Sequence, residues 1–499
     1  MSEELELKFL VQDLAAAQTW LSQRLAVSGV GPAWRTMPMV DRYFDTADGA
    51  LGAAGYGARL RRIGRQTVVT VKSDLEVRGG LHRREELEAP AARSLDVAKW
   101  PESEARTRVI EVAGARRLIE RFRVEQERRE TDARVADAVV VVSLDECAVF
   151  ANGRAAGTVT QLEVELRGGS EAALRGLGEE IAAAGIGVPE GRSKMVIAAE
   201  LAAAAQRVVP GDTTATAGRL VLRRQLLRML EREGVARTGD PLAIKQMRVA
   251  TRRMRSAWRV FGADYRKAAR RRYVAELRRV ADALGAVRDL DVLRSALPGE
   301  DALTPIANTW LERRAQAHAR LVALLDDAAY ETFVDDYLDF TGDADAALAR
   351  NVAGNVAANG EQPTLAQAAP DRLAAAADLM RQAAAAALPG GDDAAWHALR
   401  RAARRLRYTV ESLREGIGEA AATDAIARLV RVQDVLGAMN DAAVAAHEVE
   451  AWLAANPTAP PETVSAATAF AAAQQADIAR LRQSFAAIWQ GAANLFTER

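Results

Sequence analysis

The spacing of apolar and charged residues along the chain changes near residue 210, and this change limits the folds that the chain can adopt. Before that point, β-branched and charged residues alternate in residues 67–72, 139–143 and 158–166; this alternation is typical of strands. Helical spacing is confined there to inserted stretches at 13–25, 95–112 and 171–184. Beyond residue 210, Ala, Leu and Arg recur at helical spacing almost to the end. This order predicts an α+β domain with an antiparallel sheet, followed by an all-α domain.

The domain boundaries follow from composition. We expect an N-terminal domain at 1–207, a linker rich in Pro, Gly and Thr at 208–218, and a helical domain at 219–499. The helical part is interrupted near 239–241, 298–299, 360–363, 389–391 and 456–461. Such spacing predicts long antiparallel helices in a bundle.

The helical part contains an internal repeat. Four arginines, Arg248, Arg252, Arg253 and Arg255, recur as Arg400, Arg404, Arg405 and Arg407. Leu284-Gly285 and Asp289 recur as Leu436-Gly437 and Asp441 at the same offset of 152 residues (400 − 248 and 441 − 289). A shared offset across two different motifs predicts two copies of one helical bundle, roughly 219–345 and 370–499.

A basic stripe marks one helix in each copy. Lys245, Arg248, Arg252, Arg255 and Arg259 are spaced three or four residues apart, so they share a helix face. An ordinary solvated face mixes Glu with Lys, whereas these like charges repel each other. The arrangement favours a polyanion ligand, and arginine suits phosphate. If the copies face each other, the stripes line a positive groove, and the scarcity of aromatics favours polyphosphate over single-stranded RNA. The candidate polyphosphate ligands are Lys245, Arg248, Arg252, Arg253, Arg255, His397, Arg400, Arg404, Arg405 and Arg407.

Charge and composition disfavour several classes of protein. The 499 residues include 67 basic and 67 acidic ones, and the net charge of +0 argues against a dedicated or sequence-specific nucleic-acid binder. A single cysteine, Cys147, excludes a disulfide framework within the chain and a cysteine zinc site. We find no run of about 18 apolar residues and no apolar leader, so we expect a cytoplasmic protein without a membrane partner.

The N-terminal pentapeptide Glu4-Leu5-Glu6-Leu7-Lys8 places two carboxylates and an ammonium on one strand face. Such a face suits a divalent cation beside an anion, and the pattern returns at Glu163 and Glu165. Strand parity adds Arg59, Arg61, Lys72, Arg84, Glu86 and Glu88. One such pair is usually the solvated face of a sheet, but five segments are harder to explain in that way. A closed barrel would collect these side chains in its lumen, where cations neutralise a triphosphate and Glu holds Mg²⁺ or Mn²⁺.

These motifs resemble those of the CYTH superfamily, the triphosphate tunnel metalloenzymes. Glu4-Leu5-Glu6-Leu7-Lys8 is similar to their ExExK signature, and further matches fall at 42–46, 58–61, 84–88, 162–166 and 192–194. The resemblance implies a closed antiparallel β-barrel with flanking helices, in which Arg128, Asp145 and Lys194 are further tunnel residues. Gln161 stands where the family often has another Glu.

The resemblance implies three sets of residues. Glu4, Glu6 and Lys8 would be catalytic. Arg59, Arg61, Lys72, Arg84, Arg128 and Lys194 would bind triphosphate. Mg²⁺ or Mn²⁺ would be held by Glu4, Glu6, Glu86, Glu88, Asp145, Glu163 and Glu165.

The helical part resembles the CHAD family, conserved histidine α-helical domains. Residues 245–255 and 288–291 carry the resemblance in the first copy, and 397–408 and 436–441 carry it in the second. It implies two helical bundles that bind inorganic polyphosphate. The family's histidine is present as His397 but is Lys245 in the first copy, which keeps a cation there.

We therefore expect an enzyme that hydrolyses inorganic triphosphate or short-chain polyphosphate with a metal ion and a water nucleophile, near polyphosphate granules. No Walker A loop is present. The alternative is a non-catalytic polyphosphate-binding scaffold. The CYTH fold also serves adenylyl cyclases, thiamine triphosphatases and RNA triphosphatases, so the fold alone leaves the substrate open. Chain-length preference, the choice of metal and the oligomeric state stay open as well.

Overall fold

The computed structural model describes residues 2–27, 29–73, 76–78, 81–343, 362–388 and 390–496, with the backbone alone for 2–4, 76–78 and 81–85. The chain divides into two compact units, Met1–Arg207 and Val208–Arg499. Each unit has its own hydrophobic core.

Within the residues that the structure describes, the first unit contains ten strands and five α-helices. The strands are β1 (Ser2–Leu10), β2 (Arg35–Thr46), β3 (Tyr56–Ile63), β4 (Gln66–Ser73), β5 (Glu76–Arg78), β6 (Leu81–Pro90), β7 (Leu118–Val135), β8 (Ala138–Ala151), β9 (Arg154–Gly168) and β10 (Val188–Pro189). The helices are α1 (Leu14–Arg24), α2 (Ala50–Ala53), α3 (Glu104–Ala113), α4 (Glu171–Ala183) and α5 (Lys194–Ala205).

The strands form one antiparallel sheet in the order β10-β1-β9-β8-β7-β2-β3-β4-β6-β5, with a further pairing of β1 with β6. The prediction of a closed barrel is wrong, because this ten-stranded sheet ends in β10 and β5. The first half of β1 pairs with β6, and its second half pairs with β9. Among the described residues, only Glu6 and Leu7 of β1 have register partners on both strands. Alternation along a strand predicts which face is charged, but it carries no information about how the edges of a sheet meet.

The apolar face of the sheet is covered by helices. Leu7, Val142 and Leu162 are buried with residues of α1 and α4. Leu60 and Val71 form a second cluster with α3, and Val124 and Val159 form a third with α5. The opposite face carries the charged side chains, as strand alternation predicts.

The second unit is helical. Its helices are α6 (Thr214–Arg237), α7 (Pro241–Phe261), α8 (Lys267–Ala296), α9 (Thr304–Leu325), α10 (Ala328–Gly342), α11 (Leu365–Ala387), α12 (Asp393–Ser412), α13 (Arg414–Ile417), α14 (Glu419–Ala455) and α15 (Pro461–Gln490). Every predicted break that falls on described residues separates two helices, whereas α6 begins inside the predicted linker. None of the described helices is long and apolar enough to cross a bilayer.

The two basic helices begin at the same kind of cap. The Asp240 side chain accepts a hydrogen bond from the Ala243 amide at 2.6 Å, and Asp392 accepts one from the Ala395 amide at 2.9 Å. Aspartate at this position satisfies an amide that would otherwise lack a partner. The basic stripes therefore begin at defined points on α7 and α12.

Candidate functional site

A cavity of about 460 Å³ lies on the charged face of the first unit. Residues of β1, β2, β3, β4, β6, β7 and β9 and of the start of α5 line it. We call it the charged cavity. Its charged lining consists of Glu6, Lys8, Arg59, Arg61, Lys72, Glu86, Glu88, Arg128, Glu163, Glu165, Arg167 and Lys194.

The cavity contains every predicted N-terminal site residue whose side chain the structure describes, with the exception of Asp145. Antiparallel register accounts for the convergence, since Glu6 lies opposite Glu165 and Lys8 lies opposite Glu163. The side chains of Glu4 and Arg84 lie outside the described residues. Their backbones are register partners on β1 and β6.

Asp145 lies beneath the cavity and does not line it. Its side chain is 0% exposed, and it accepts hydrogen bonds from Arg128 Nε at 2.8 Å and Arg128 Nη2 at 2.7 Å, and another from Lys194 Nζ. Burial alone would raise the pKa of the Asp145 carboxyl, but Lys194 and Arg128 lower it. Both oxygens of Asp145 are therefore bonded to cations of the cavity, and a role for Asp145 as a metal ligand stays a prediction.

Most of the carboxylates inside the cavity form ion pairs with cations. The Lys8 ammonium lies 2.5 Å from Glu6, Lys72 lies 2.9 Å from Glu86, and Arg128 Nη2 lies 2.7 Å from Glu163. Burial opposes the ionisation of Glu163, but Lys194 and Arg128 hold the pKa of its carboxyl well below the usual range. The site therefore contains ionised groups of both signs in a partly buried space, and an arriving polyanion would compete with the carboxylates for the cations.

Asp41 on β2 belongs to the same set, although the sequence analysis missed it. Its side chain is 0% exposed and forms ion pairs with Arg59 at 3.2 Å and Arg61 at 2.7 Å. The adjacent Tyr43 lines the cavity and accepts a hydrogen bond from Arg59 Nη1 at 3.4 Å. A signal was present, because Asp41 and Tyr43 alternate on β2 as charged residues do on the neighbouring strands. This alternation identifies Asp41 as a site residue only once the pairing of β2 with β3 is known, because Asp41 then faces Arg61 and Tyr43 faces Arg59.

The donors in the cavity suit a hard divalent cation. Carboxylates from three strands line it, namely Glu6, Glu86, Glu88, Glu163 and Glu165, and Mg²⁺ and Mn²⁺ prefer such oxygen ligands. Among the described residues, no three His, Cys, Asp or Glu side chains are gathered closely enough to hold an ion. The donor chemistry fits a divalent cation, provided that some carboxylates exchange their present cationic partners for it.

In the second unit, α7 packs against α12, and arginines of the two predicted copies meet. We call Arg248, Arg252, Arg259, Arg400 and Arg404 the basic surface. Burial and the guanidinium groups of Arg248, Arg404 and Arg407 lower the pKa of Arg252. The Arg252 guanidinium lies 5.5 Å from the centre of the Tyr408 ring, within cation–π range.

The remaining predicted ligands lie in different surroundings. Arg253 and Arg407 both donate to Glu411, at 2.8 and 3.0 Å, so one carboxylate partly neutralises them. Burial lowers the pKa of Arg259, and the nearby charges of Arg255 and Arg405 lower it further. Arg255 and Arg405 therefore extend the same positive region. Lys245 is exposed near the start of α7.

His397 lies at the start of the stripe on α12. Asn440 on α14 lies beside its ring. Burial lowers the pKa of His397, and the nearby charges of Arg401, Arg400 and Arg404 lower it further. The ring is therefore less readily protonated than an isolated histidine, in contrast to the lysine at the equivalent position of the first copy.

Comparison with known families finds a different domain family in each of the two units. Residues 2–193 match the model of the CYTH domain, and residues 220–450 match the model of the CHAD domain. Both resemblances inferred from the sequence are therefore confirmed at the level of the domain family. No protein of curated function matches the chain.

Solved structures are similar to parts of the chain. The CHAD domain from the plant Ricinus communis is 22% identical over 58% of this chain and 94% of that chain, with a TM-score of 0.47. PptA from Streptomyces chartreusis is 20% identical over 56% and 99%, with a TM-score of 0.44. A Hippeastrum protein, described as an adenylyl cyclase candidate with a dominant triphosphatase activity, is 21% identical over 40% and 95%, with a TM-score of 0.31.

Proposed function

We propose that this chain, in which a CYTH domain precedes a CHAD domain, is a metal-dependent hydrolase of inorganic triphosphate or short-chain polyphosphate. The charged cavity would perform the hydrolysis, and the basic surface would bind polyphosphate. One observation carries the proposal: cations and carboxylates from six strands and one helix converge on a single cavity. Binding to polyphosphate would also place the protein at polyphosphate granules.

The cations are suited to a chain of phosphates. Arg59 and Arg61 come from β3, Lys72 from β4, Arg128 from β7 and Lys194 from the first turn of α5. Because they approach from different elements, they can contact successive phosphoryl groups of one ligand. Phosphate oxygens accept strong charge-assisted hydrogen bonds from guanidinium and ammonium groups. These cations would bind the triphosphate and fix its orientation.

Glu6, Glu163 and Glu165 would hold the divalent cation, together with Glu86 and Glu88 of β6. When bound, Mg²⁺ or Mn²⁺ polarises phosphoryl oxygens and offsets their negative charge. Lys8, beside Glu6, would keep a positive charge next to these carboxylates. Although burial opposes it, Lys194 and Arg128 lower the pKa of Glu163 and so keep this carboxylate ionised before the ligand arrives. Lys8 forms an ion pair with Glu6.

The hydrolysis itself needs little covalent chemistry from the protein. The oxygen of a water molecule attacks the terminal phosphorus, the bond to the bridging oxygen breaks, and orthophosphate and diphosphate form. Arginines and lysines placed in advance stabilise the charge that develops on the phosphoryl oxygens. Among the described residues that line the cavity there is no histidine or cysteine, and burial raises the pKa of the nearby Cys147 to about 12. Water is therefore a better nucleophile here than this thiol.

The basic surface supports polyphosphate as a ligand of the second unit. Burial lowers the pKa values of Arg252, Arg400 and Arg404, and neighbouring arginines of α7 and α12 lower them further, so their proximity is unfavourable without an anion. A bound polyphosphate would relieve this repulsion along its length. The same helices carry few aromatic side chains for stacking bases, and the nearest ring, Tyr408, is buried beneath Arg252.

A scaffold that grips polyphosphate without cleaving it is the second candidate. One observation favours it: no three carboxylates of the described residues are gathered around a common point. In this account the cavity would bind a phosphate chain end through its cations alone. The two candidates differ in turnover and share the same affinity for polyphosphate.

The test is phosphate release from tripolyphosphate, ATP and long-chain polyphosphate with Mg²⁺, Mn²⁺ or EDTA. Metal-dependent cleavage of tripolyphosphate in preference to ATP supports the hydrolase. Tight polyphosphate binding without release from any substrate supports the scaffold. Release that persists in EDTA contradicts the metal-dependent mechanism.

A further inference from the structure

Asp41 contacts the charged cavity only through other side chains. Its Oδ1 accepts a hydrogen bond from Arg61 Nε at 2.8 Å, and its Oδ2 accepts one from Arg61 Nη2 at 2.7 Å and another from Arg59 Nη1 at 3.2 Å. The carboxylate is fully buried and does not line the cavity. Both of its oxygens are therefore committed to two guanidinium groups that do line it.

We propose that Asp41 is a positioning residue that sets the affinity of the cavity for triphosphate, an inference that rests on the proposed function. A bidentate contact fixes the plane of the Arg61 guanidinium and leaves Nη1 for the ligand. Arg59 donates to Asp41 through Nη1, which leaves its Nη2 for the ligand. Asp41 thereby points the outer nitrogen of each arginine into the cavity before the ligand binds.

The energetic setting supports a role in the site. A buried carboxylate is costly unless strong partners compensate it, and replacing such an ion pair by apolar residues often stabilises a protein. Here the compensation comes from two cations that the cavity also uses. Burial opposes the ionisation of Asp41, but Arg59 and Arg61 hold its pKa well below the usual range. The carboxylate is therefore charged throughout the neutral range and restrains both arginines.

The arrangement occurs twice. Asp145 on β8 is also 0% exposed and holds Arg128 and Lys194, two further cations of the lining. Two buried aspartates on different strands therefore restrain four of the cavity's cations. If the two buried aspartates served only folding, their cationic partners would not need to line the cavity.

A double-mutant cycle tests the proposal in the full-length protein. Tripolyphosphate binding is measured by titration calorimetry in EDTA for wild type, Asp41→Asn, the pair Arg59→Gln with Arg61→Gln, and the triple variant. We expect Asp41→Asn to raise the dissociation constant about 10-fold or more, as for other residues that orient ligand-binding groups. The triple variant should bind like the arginine pair within about 2-fold, because Asp41 acts through those arginines.

Two results would overturn the inference. One is wild-type affinity in Asp41→Asn. The other is a triple variant that binds more weakly than the arginine pair by the same factor that Asp41→Asn costs in the wild-type background. If Asp41→Asn does not fold, Asp41→Glu replaces it, since this change keeps the charge and displaces the carboxylate; wild-type affinity in that variant overturns the inference. A wild-type protein that binds no tripolyphosphate removes the proposed function as well, and the first titration shows this before any variant is made.

Discussion

Glu6 on β1 lies directly opposite Glu165 on β9, and both side chains line the charged cavity. Like charges at directly opposed positions of an antiparallel pair destabilise a sheet. Lys8 lies beside Glu6 and opposite Glu163, which offsets part of this cost. Under the proposed function, the two carboxylates would share a divalent cation.

A divalent cation should therefore stabilise the folded first unit. A ligand that binds only the folded state at 100 times its dissociation constant adds about 2.7 kcal/mol to the free energy of unfolding. We expect Mn²⁺ or Mg²⁺ to raise the melting temperature of wild type and of Glu146→Gln, an exposed position on β8. Glu165→Gln should lose most of the shift, and an equal shift in all three proteins would contradict the shared site.

Polyphosphate binding should depend on arginines from both basic helices. Arg252→Ala combined with Arg404→Ala removes two cations of the basic surface, so the salt dependence of log K should become shallower by about two units of slope. The affinity should fall as well. The matched control combines Arg428→Ala and Arg480→Ala, whose side chains pair with Asp424 and Asp477 elsewhere. A slope that stays the same in both double variants would exclude the basic surface.

The pH dependence of polyphosphate binding should come from His397. Burial and three neighbouring arginines lower its pKa, so the free ring is neutral at pH 8. A bound polyanion favours the protonated ring, and a proton is therefore taken up on binding as the pH falls through the pKa. One proton changes the affinity by at most about 10-fold per pH unit. We expect tighter binding at pH 6 than at pH 8 by titration calorimetry.

Exchanging the two equivalent residues tests this assignment. His397→Lys should bind with little dependence on pH, because its charge is permanent over this range. Lys245→His should steepen the dependence, because a second group then titrates. If His397→Lys keeps the pH dependence of wild-type binding, the titrating group is not His397.

Asp145 should contribute to stability at neutral pH and lose that contribution in acid. Its folded-state pKa is lowered, so the contribution is complete above the unfolded pKa of about 4 and is lost as the pH falls through the folded value. Removing one partner of a buried pair costs about 3 kcal/mol. Asp145→Asn should therefore weaken the hydrogen-exchange protection of β8 amides at pH 7. The exposed Asp132→Asn should leave it nearly unchanged, and equal protection in both variants would contradict the role of Asp145.

Local patterns predicted much of this structure. The alternation at Glu4 to Lys8 and at Glu163 to Glu165 indicated the charged face, because side-chain direction in a strand depends only on parity. The break at 239–241 likewise combines a helix-capping Asp240 with Pro241 in the first turn. Such features depend on neighbours in the sequence, and the structure contains them at the expected places.

Long-range pairing explains what the sequence analysis missed. Asp41 on β2 faces Arg61 on the neighbouring β3, and the alternation of Asp41 with Tyr43 does not by itself reveal this pairing. Asp145 has the parity of a cavity residue, yet Arg128 and Lys194 cover it from other elements. The closed barrel was predicted wrongly for the same reason, since the pairing of β1 with its two neighbours depends on strands distant in sequence.

The most direct test of the central claim measures phosphate release from tripolyphosphate by wild type, Glu6→Gln and Glu146→Gln, each with Mn²⁺, Mg²⁺ or EDTA. We predict metal-dependent release by wild type and Glu146→Gln, and a loss of about 100-fold or more in Glu6→Gln, as expected when a metal-assisted step loses its ligand. Polyphosphate binding by the second unit should be unchanged in all three proteins. Equal release by Glu6→Gln and wild type would contradict the assignment of the charged cavity as the active site.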